Sequence, residues 1–225
     1  MPAPLPEIST ARENRQGKHQ HSCNKYRYPG LAAAVFAFLQ FSFCAVAGAA
    51  DAEAIVRETT REVLQRLNAD RARIDADPEY IQTLVHQLVV PHFDFGKMAE
   101  LVLGRLWGEI GGPRQACFTT GLRYLLVERY ADILLSYDNQ AITYDPPRPV
   151  GQEGYVVIRQ TISREGARPL PVDYPMRPAD SDWKVVDIIV DGVSLVRNYR
   201  GIIQYEIGKR GLEDFFRQFP ACSVP

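Results

Sequence analysis

The stretch PHFDFGKMAELVLGRLW, residues 91 to 107, is the most informative part of this chain. It opens with an aromatic turn and continues into a short helix, for which Asp94 is a suitable N-cap. Met98 and Val102 share the side of this helix that the apolar spacing predicts to be buried. Gly104 is expected to end the helix, because glycine readily adopts the backbone conformation that a helix terminus needs.

Apolar spacings of three and four residues predict further helices on both sides of this stretch. The order of elements is helix, helix, helix, long helix, strands, helix. The predicted helices cover residues 52–68, a segment starting at Asp77-Pro78, residues 113–137 as the longest, a helix capped by Ser194 that runs to about Lys209, and a last turn or two up to Phe219.

After the long helix the apolar period changes to two. Four strands are predicted, at residues 141–144, 155–163, 170–176 and 183–190. The turns between them are too short for parallel crossovers, so neighbouring strands should be antiparallel. Pro171 and Pro175 face outward in the third strand, which predicts an edge position. The predicted fold class is α+β, with a helical layer packed on one face of a four-stranded twisted antiparallel sheet.

The first fifty residues have the pattern of a secretory signal peptide: a basic leader, an apolar run and the small residues Ala47-Gly48-Ala49. We therefore expect residues 1–50 to be removed and residues 51–225 to form a single exported domain. The apolar run is short for a membrane span, which needs about 20 residues. An uncleaved anchor is the alternative, and Phe43 disfavours a lipoprotein site at Cys44.

Charge and cysteine content limit the possible partners of the predicted domain. From Asp51 onward the chain has 21 basic and 25 acidic residues, a net charge of −4. Without a basic cluster, this balance argues against binding to nucleic acid or to an anionic membrane surface. Only Cys117 and Cys222 remain after cleavage. Export permits a disulfide between them, and two unpaired thiols are the alternative.

No residue pattern indicates catalysis or metal binding. His86 and His92 are six apart, not at the spacing that turns two ligands toward one metal. Cys117 has no surrounding nucleophile motif. The acidic pairs Asp187 with Asp191 and Glu213 with Asp214 suit solvated or capping roles. We therefore predict no enzyme activity, no metal and no cofactor.

A second block supports a family resemblance. It runs from WKVVD at residues 183–187 to DGVSLVRNYR at residues 191–200. Together with residues 91–107, in this order and spacing, it resembles the MlaC family of periplasmic phospholipid carriers, also called toluene-tolerance Ttg2D proteins. The resemblance covers about residues 55–219. It implies an apolar cavity between helices and sheet that receives the acyl chains of a phospholipid.

The chain has many large apolar side chains, which alone would indicate ordinary core packing. The resemblance instead favours a cavity wall built from inward-facing positions. Arg200 is expected near the mouth, where it could meet the lipid phosphate, and a surface ion pair is the alternative role for it. The wall residues that follow from it are Phe95, Met98, Val102, Phe118, Leu122 and Leu125 from the helices, Val156, Ile158, Val172, Tyr174, Trp183 and Val185 from the sheet, and Val193, Leu195, Tyr199 and Ile203 from the second block.

Such a cavity has a clear physical purpose. A two-chain lipid exposes about 30 methylenes, and about 0.8 kcal/mol each makes unaided passage through water very slow. The resemblance implies a monomeric periplasmic carrier with phospholipid as cargo. Its partners would be an inner-membrane ABC transporter with its MCE-domain subunit and an outer-membrane lipoprotein complex, in a system that maintains outer-membrane lipid asymmetry. A secreted hydrolase or isomerase and a ligand-free interaction module are the alternatives.

Overall fold

The computed structural model describes residues 43–151, 154–180, 182–219 and 221–222. The predicted signal peptide lies mostly outside these residues, although the first helix begins at Phe43. No helix among the described residues combines the length and the apolar character needed to cross a membrane. The helices are α1 (Phe43–Ala69), α2 (Arg71–Ala76), α3 (Tyr80–Leu88), α4 (Phe95–Leu103), α5 (Leu106–Glu109), α6 (Gly112–Tyr130), α7 (Leu195–Arg210) and α8 (Leu212–Gln218), with 3-10 helices at Val90–His92 and Ala131–Ser136.

The predicted caps of α4 and α7 are confirmed, whereas the helix expected to start at Asp77-Pro78 begins at Tyr80, with Glu79 as its N-cap and no side-chain cap. The Asp94 side chain accepts a hydrogen bond from the Lys97 backbone N–H at 2.8 Å, and Ser194 accepts one from Arg197 at 3.0 Å. Gly104 ends α4 with a φ of +61°. The long helix was predicted to reach residue 137. It instead ends at Tyr130 and continues as the 3-10 helix, and α1 is the longer of the two.

The strands form one antiparallel sheet, as predicted, but their number differs from the four expected. They are β1 (Ile142–Tyr144), β2 (Arg148–Pro149), β3 (Val156–Ile162), β4 (Leu170–Ala179), β5 (Asp182–Val185), β6 (Ile189–Val190) and β7 (Val193–Ser194). Strand β3 pairs with β1, β2 and β4, while β4 also pairs with β5 and β6, and β6 pairs with β7. The predicted fourth strand is interrupted over residues 186–188, so it forms two strands.

The predicted edge position of the third strand is wrong, because β4 has neighbours on both sides. Both prolines fall where the neighbouring segment is irregular. The carbonyl of Pro175 accepts from Val186, in the gap between β5 and β6, and that of Pro171 accepts from Asp191, in the turn after β6, each at 2.9 Å. A central strand can therefore contain proline where the adjacent segment leaves the regular ladder.

The signature stretch joins the helices to the sheet. The Asp94 backbone N–H donates to the Val185 carbonyl at 2.9 Å, and Phe93 forms a parallel bridge with Val185. The carboxylate of Asp94 also pairs with Arg177 of β4, at 2.6 Å to one guanidinium nitrogen and 2.8 Å to another. One aspartate thus caps α4 and holds it against the sheet.

Helices α4, α6, α7 and α8 enclose a cluster that we call the helical core. Phe118 is fully buried at its centre, and its ring centroid lies 5.0 Å from that of Phe219. A disulfide joins Cys117 to Cys222 at the edge of this cluster. The other buried members are Met98, Ala99, Val102, Leu103, Ile110, Leu122, Leu126, Val196, Tyr199, Ile203, Phe215 and Phe216.

Candidate functional site

A cavity of about 390 Å³ lies between the helices and the inward face of the sheet. This volume is within the usual range of ligand sites, about 300–1,000 Å³. Most of its lining is aliphatic or aromatic. Along α1 the lining extends from Ile55 to Leu64, nine residue steps, or about 14 Å at the helical rise.

The helical side of the cavity consists of α1, α3 with the turn after it, the start of α4 and the end of α6 with its 3-10 continuation. Alternate turns of α1 present aliphatic and threonine side chains to it. The lining residues on this side are Ile55, Val56, Thr59, Thr60, Val63, Leu64, Val85, Val89, Val90, His92, Phe93, Phe95, Met98, Leu126, Val127, Tyr130, Ala131, Ile133, Leu134, Ser136 and Tyr137.

The sheet side comes mainly from even-numbered positions of β3 and β4. Strand alternation turns these positions toward the helices, because successive side chains point to opposite faces. The register Ile158 with Tyr174 and Ile162 with Leu170 places their side chains on the same face. The lining residues on this side are Gln140, Ile142, Gln160, Ile162, Arg164, Leu170, Tyr174, Val185, Ile188 and Leu195.

Exposed lining residues mark the rim of the cavity. Ile133 of the 3-10 helix is 61% exposed, and the lining residues Ser136 and Arg164 are also exposed. Arg164 is the only lysine or arginine among the described lining residues. Its guanidinium donates to the Arg168 carbonyl at 2.9 and 3.0 Å, so it is held at the end of β3 while remaining accessible.

A polar pair crosses the cavity wall from α1 to β3. The hydroxyl of Thr60 donates to the side-chain oxygen of Gln160 at 3.1 Å. Gln160 is only 5% exposed, although its neighbours at alternate positions of β3, Ile158 and Ile162, are aliphatic. Tyr174 lines the same region, and burial raises the pKa of its hydroxyl, which therefore stays protonated.

Two further polar atoms are buried here without a hydrogen-bond partner in the described part of the chain. They are the hydroxyl oxygen of Thr59 and Nδ1 of His92. Burial, aided by the nearby Lys184, lowers the pKa of His92 below its ordinary value. The histidine is therefore neutral at pH 7, in keeping with its position in an apolar wall.

The structure brings some of the predicted wall residues to the cavity. Those that line it are Phe95, Met98, Tyr174, Val185 and Leu195. The inward face assigned to β3 and β4 also agrees with the structure, since Val156 and Ile158 cluster with Val56 of α1 rather than facing solvent.

The remaining predicted wall residues lie away from the cavity. Val102, Phe118, Leu122, Leu125, Tyr199 and Ile203 belong to or pack on the helical core, while Val156, Ile158, Val172 and Trp183 are buried or half-buried within the sheet region. Val193 is 60% exposed. These side chains pack in the interior or face solvent, because the cavity lies between α1, the end of α6 and the sheet, and not within the helical core.

Arg200 lies outside the cavity lining. Its guanidinium covers Gly104 at the far end of α4 from Phe95, so closely that a Cβ on Gly104 would lie 2.2 Å from its terminal nitrogen. Glycine at this position therefore meets two needs, the positive φ and the close approach of Arg200. Arg164 is the arginine that the structure places at the rim.

The other candidate groups have structural partners. Asp187 accepts hydrogen bonds from Ser194 at 2.5 Å and from the Val196 N–H at 3.0 Å, so it ties β6 and α7 together, although burial raises its pKa. Asp191 pairs with Arg168, and Glu213 with Arg114. No group of three or more potential metal ligands occurs among the residues that the structure describes.

The sequence reasoning missed the contribution of α1 and of the 3-10 helix. Val63 and Leu64 form part of the amphipathic stripe that predicts the helix, but a stripe does not show whether it faces packing or a void. One signal was available in β3. Gln160 is a polar residue at an inward position between two isoleucines, and such an interruption of an apolar face indicates a group with a polar partner.

Fold and cavity together define a class of protein: a small α+β domain with an apolar, ligand-sized cavity between its layers. The chain belongs to the MlaC family, since the model of that family, described as MlaC protein, matches residues 57–220. The matched region contains the cavity-lining residues from Thr59 to Leu195, and the lining residues Ile55 and Val56 lie just before the matched region.

Two relatives carry informative names. The intermembrane phospholipid transport system binding protein MlaC of Haemophilus influenzae is 24% identical over 166 residues, 71% of this chain and 76% of its own length. The toluene tolerance protein ttg2D of Pseudomonas putida is 25% identical over 147 residues, 65% of this chain and 68% of its own.

A solved structure shares the fold. The phospholipid-binding protein from Ralstonia solanacearum, determined in complex with a phospholipid, superimposes with a TM-score of 0.67 at 29% identity. The match covers 77% of this chain and 97% of the other. This likeness confirms the α+β class predicted from the sequence.

Proposed function

We propose that this protein is a periplasmic phospholipid carrier that holds acyl chains in the cavity between α1 and the sheet. The single observation that carries the proposal is the apolar cavity of about 390 Å³ with an accessible rim, in a chain of the MlaC family. Similarity to a protein solved with phospholipid supports the same ligand class. The carrier needs no catalytic residue, because removing hydrocarbon from water is its whole task.

The headgroup of the lipid remains at the rim in this proposal. Arg164 is accessible there and could meet the phosphate, since arginine suits phosphate geometry. We further propose that the signal peptide delivers the protein to the periplasm. There it would exchange lipid between an inner-membrane ABC transporter, through its MCE-domain subunit, and an outer-membrane lipoprotein complex. The relative from Haemophilus influenzae, named for an intermembrane transport system, supports this route.

A matched pair of variants tests the cavity. Ile162 lines it, whereas Thr161, the next residue of β3, faces the other side of the sheet. Ile162→Glu places a charge among hydrocarbon tails and should abolish lipid capture. Thr161→Glu adds the same charge to the same strand and should leave capture intact.

The measurement is native mass spectrometry with lipid extraction, on protein purified without detergent and then incubated with phosphatidylethanolamine vesicles. Wild-type protein should carry phospholipid in every preparation. A clean ligand-free mass in repeated preparations would contradict the carrier function. Equal capture by the two variants would place the lipid somewhere other than this cavity.

A further inference from the structure

Gln160 is an unusual group for the wall of a hydrocarbon cavity. Among the described residues, Gln160 and Ser194 are the fully buried polar side chains. Ser194 has a structural reason to be there, since it caps α7. Gln160 caps no helix and contributes only its backbone to the sheet ladder, so its carboxamide needs another explanation.

Only one end of this carboxamide has a partner. Its oxygen accepts the Thr60 hydroxyl at 3.1 Å, and its amide nitrogen makes no hydrogen bond to any group that the structure describes. The residue lines the cavity, so the free N–H donors border the space that a ligand would occupy. This nitrogen is not fully buried, so a molecule in the cavity can reach it, and a ligand acceptor would complete its hydrogen bonding.

The surroundings select a neutral acceptor. Gln160 lies within β3, where it is buried, whereas Arg164 follows the end of this strand and is exposed at the rim. A phosphate drawn to Gln160 would lose its water without gaining a cation, which is strongly unfavourable. A hydrocarbon tail offers no acceptor at all. The remaining acceptors of a diacyl lipid are its ester carbonyl oxygens, which are neutral and a few bonds from the phosphate.

Building on the proposed carrier function, we propose that Gln160 donates a hydrogen bond to an ester carbonyl of the bound lipid, so that the cavity prefers ester-linked to ether-linked lipids. The Thr60 hydroxyl positions the carboxamide for this contact. The bond sets how deeply the lipid enters, with its tails beyond Gln160 and its phosphate toward the rim.

Tyr174 extends the same polar patch. Ile158 pairs with Tyr174 and Gln160 with Val172, so Tyr174 is the diagonal neighbour of Gln160 on the inward face of the sheet. Its hydroxyl remains a donor because burial keeps it protonated. Gln160 and Tyr174 thus place hydrogen-bond donors on the same wall of the cavity. Such donors suit a lipid whose ester carbonyl oxygens lie at the depth of Gln160.

The test is a competition that needs no variant. Full-length wild-type protein is incubated with vesicles containing equal amounts of dipalmitoyl phosphatidylethanolamine and its dihexadecyl ether counterpart. Mass spectrometry of the captured lipid gives the ester-to-ether ratio. We expect about fivefold enrichment of the ester lipid, the effect of one ordinary hydrogen bond. A ratio of one would overturn the inference, whereas capture of neither lipid would overturn the carrier function itself.

Variants then assign the preference to its residues. Gln160→Met keeps the shape of the side chain and removes the donor, so it should capture lipid with a ratio near one. Thr161→Val is the control for Thr60→Val, because Thr161 lies on the opposite face of β3 from Gln160 and is not among the cavity-lining residues. The ratio should fall in Thr60→Val and persist in Thr161→Val. An undiminished ratio in Gln160→Met would overturn the inference.

Discussion

The two halves of the molecule are packed in opposite ways, although both are built from apolar residues. The helical core is solid, with the ring centroids of Phe118, Phe215, Phe216 and Phe219 between 5.0 and 6.4 Å apart where they pair. The half between α1 and the sheet contains the cavity of about 390 Å³. Met98 lies at the boundary between the two halves, because it belongs to the helical core and also lines the cavity.

The contrast in packing explains how a small domain can contain a cavity. Apolar walls without partner atoms lose dispersion contacts, so a cavity costs stability. On one side of Met98 lie the helical core and its disulfide, and on the other side lies the cavity. Binding and stability are thus assigned to different residues, and variants can separate them.

The largest effect is expected from equal truncations in the two halves. Leu122→Ala removes a side chain that is 1% exposed in the helical core and should destabilise the protein by about 3 kcal/mol. Leu170→Ala trims the half-buried cavity wall and should cost less than about 1.5 kcal/mol, because its side chain already borders empty space.

Urea unfolding followed by circular dichroism measures both free energies of unfolding. Lipid capture should show the reverse order, with Leu170→Ala the more affected of the two. Equal losses of stability would mean that the two halves are packed alike and would remove the basis of the comparison.

A somewhat smaller effect is expected from the disulfide. Cys117 and Cys222 are 105 residues apart, so their bond constrains a long loop of the unfolded chain. Replacing both with serine should cost about 2–3 kcal/mol, within the usual range for a native disulfide. The loss should leave lipid capture unchanged, since neither cysteine lines the cavity. Reducing agent should lower the melting temperature of wild-type protein and not that of the double variant.

Much of the fold follows from local signals in the sequence. Asp94 and Ser194 begin their helices and Gly104 ends one where predicted, because caps act through a few adjacent backbone groups. The alternation in β3 and β4 gives the inward face of the sheet. The central position of β4 could not be predicted from its two prolines, since prolines are tolerated there because of where the neighbouring strand breaks.

The location of the cavity could not be predicted because apolar walls and apolar cores have the same sequence pattern. Leu122 and Leu64 both occupy apolar stripes of helices, yet Leu122 fills the helical core and Leu64 lines the cavity. The difference lies in what faces each helix across space. Polar residues at inward-facing positions, such as Gln160, are the sequence feature that could have indicated which half contains the cavity.

The smallest effect concerns pH and also distinguishes the two halves. His92 lies in the cavity wall, and its pKa is lowered by burial and by Lys184. Because the folded pKa is below the unfolded value of about 6.5, the unfolded chain takes up the proton first as pH falls. Above about pH 6.5, neutral His92 makes its full contribution to the free energy of unfolding. This contribution is lost as the pH falls through the pKa of His92 in the folded protein. His92→Gln should therefore lose less stability than wild type between pH 7.5 and 5. Parallel curves for wild type and His92→Gln would contradict the assigned role of His92 burial.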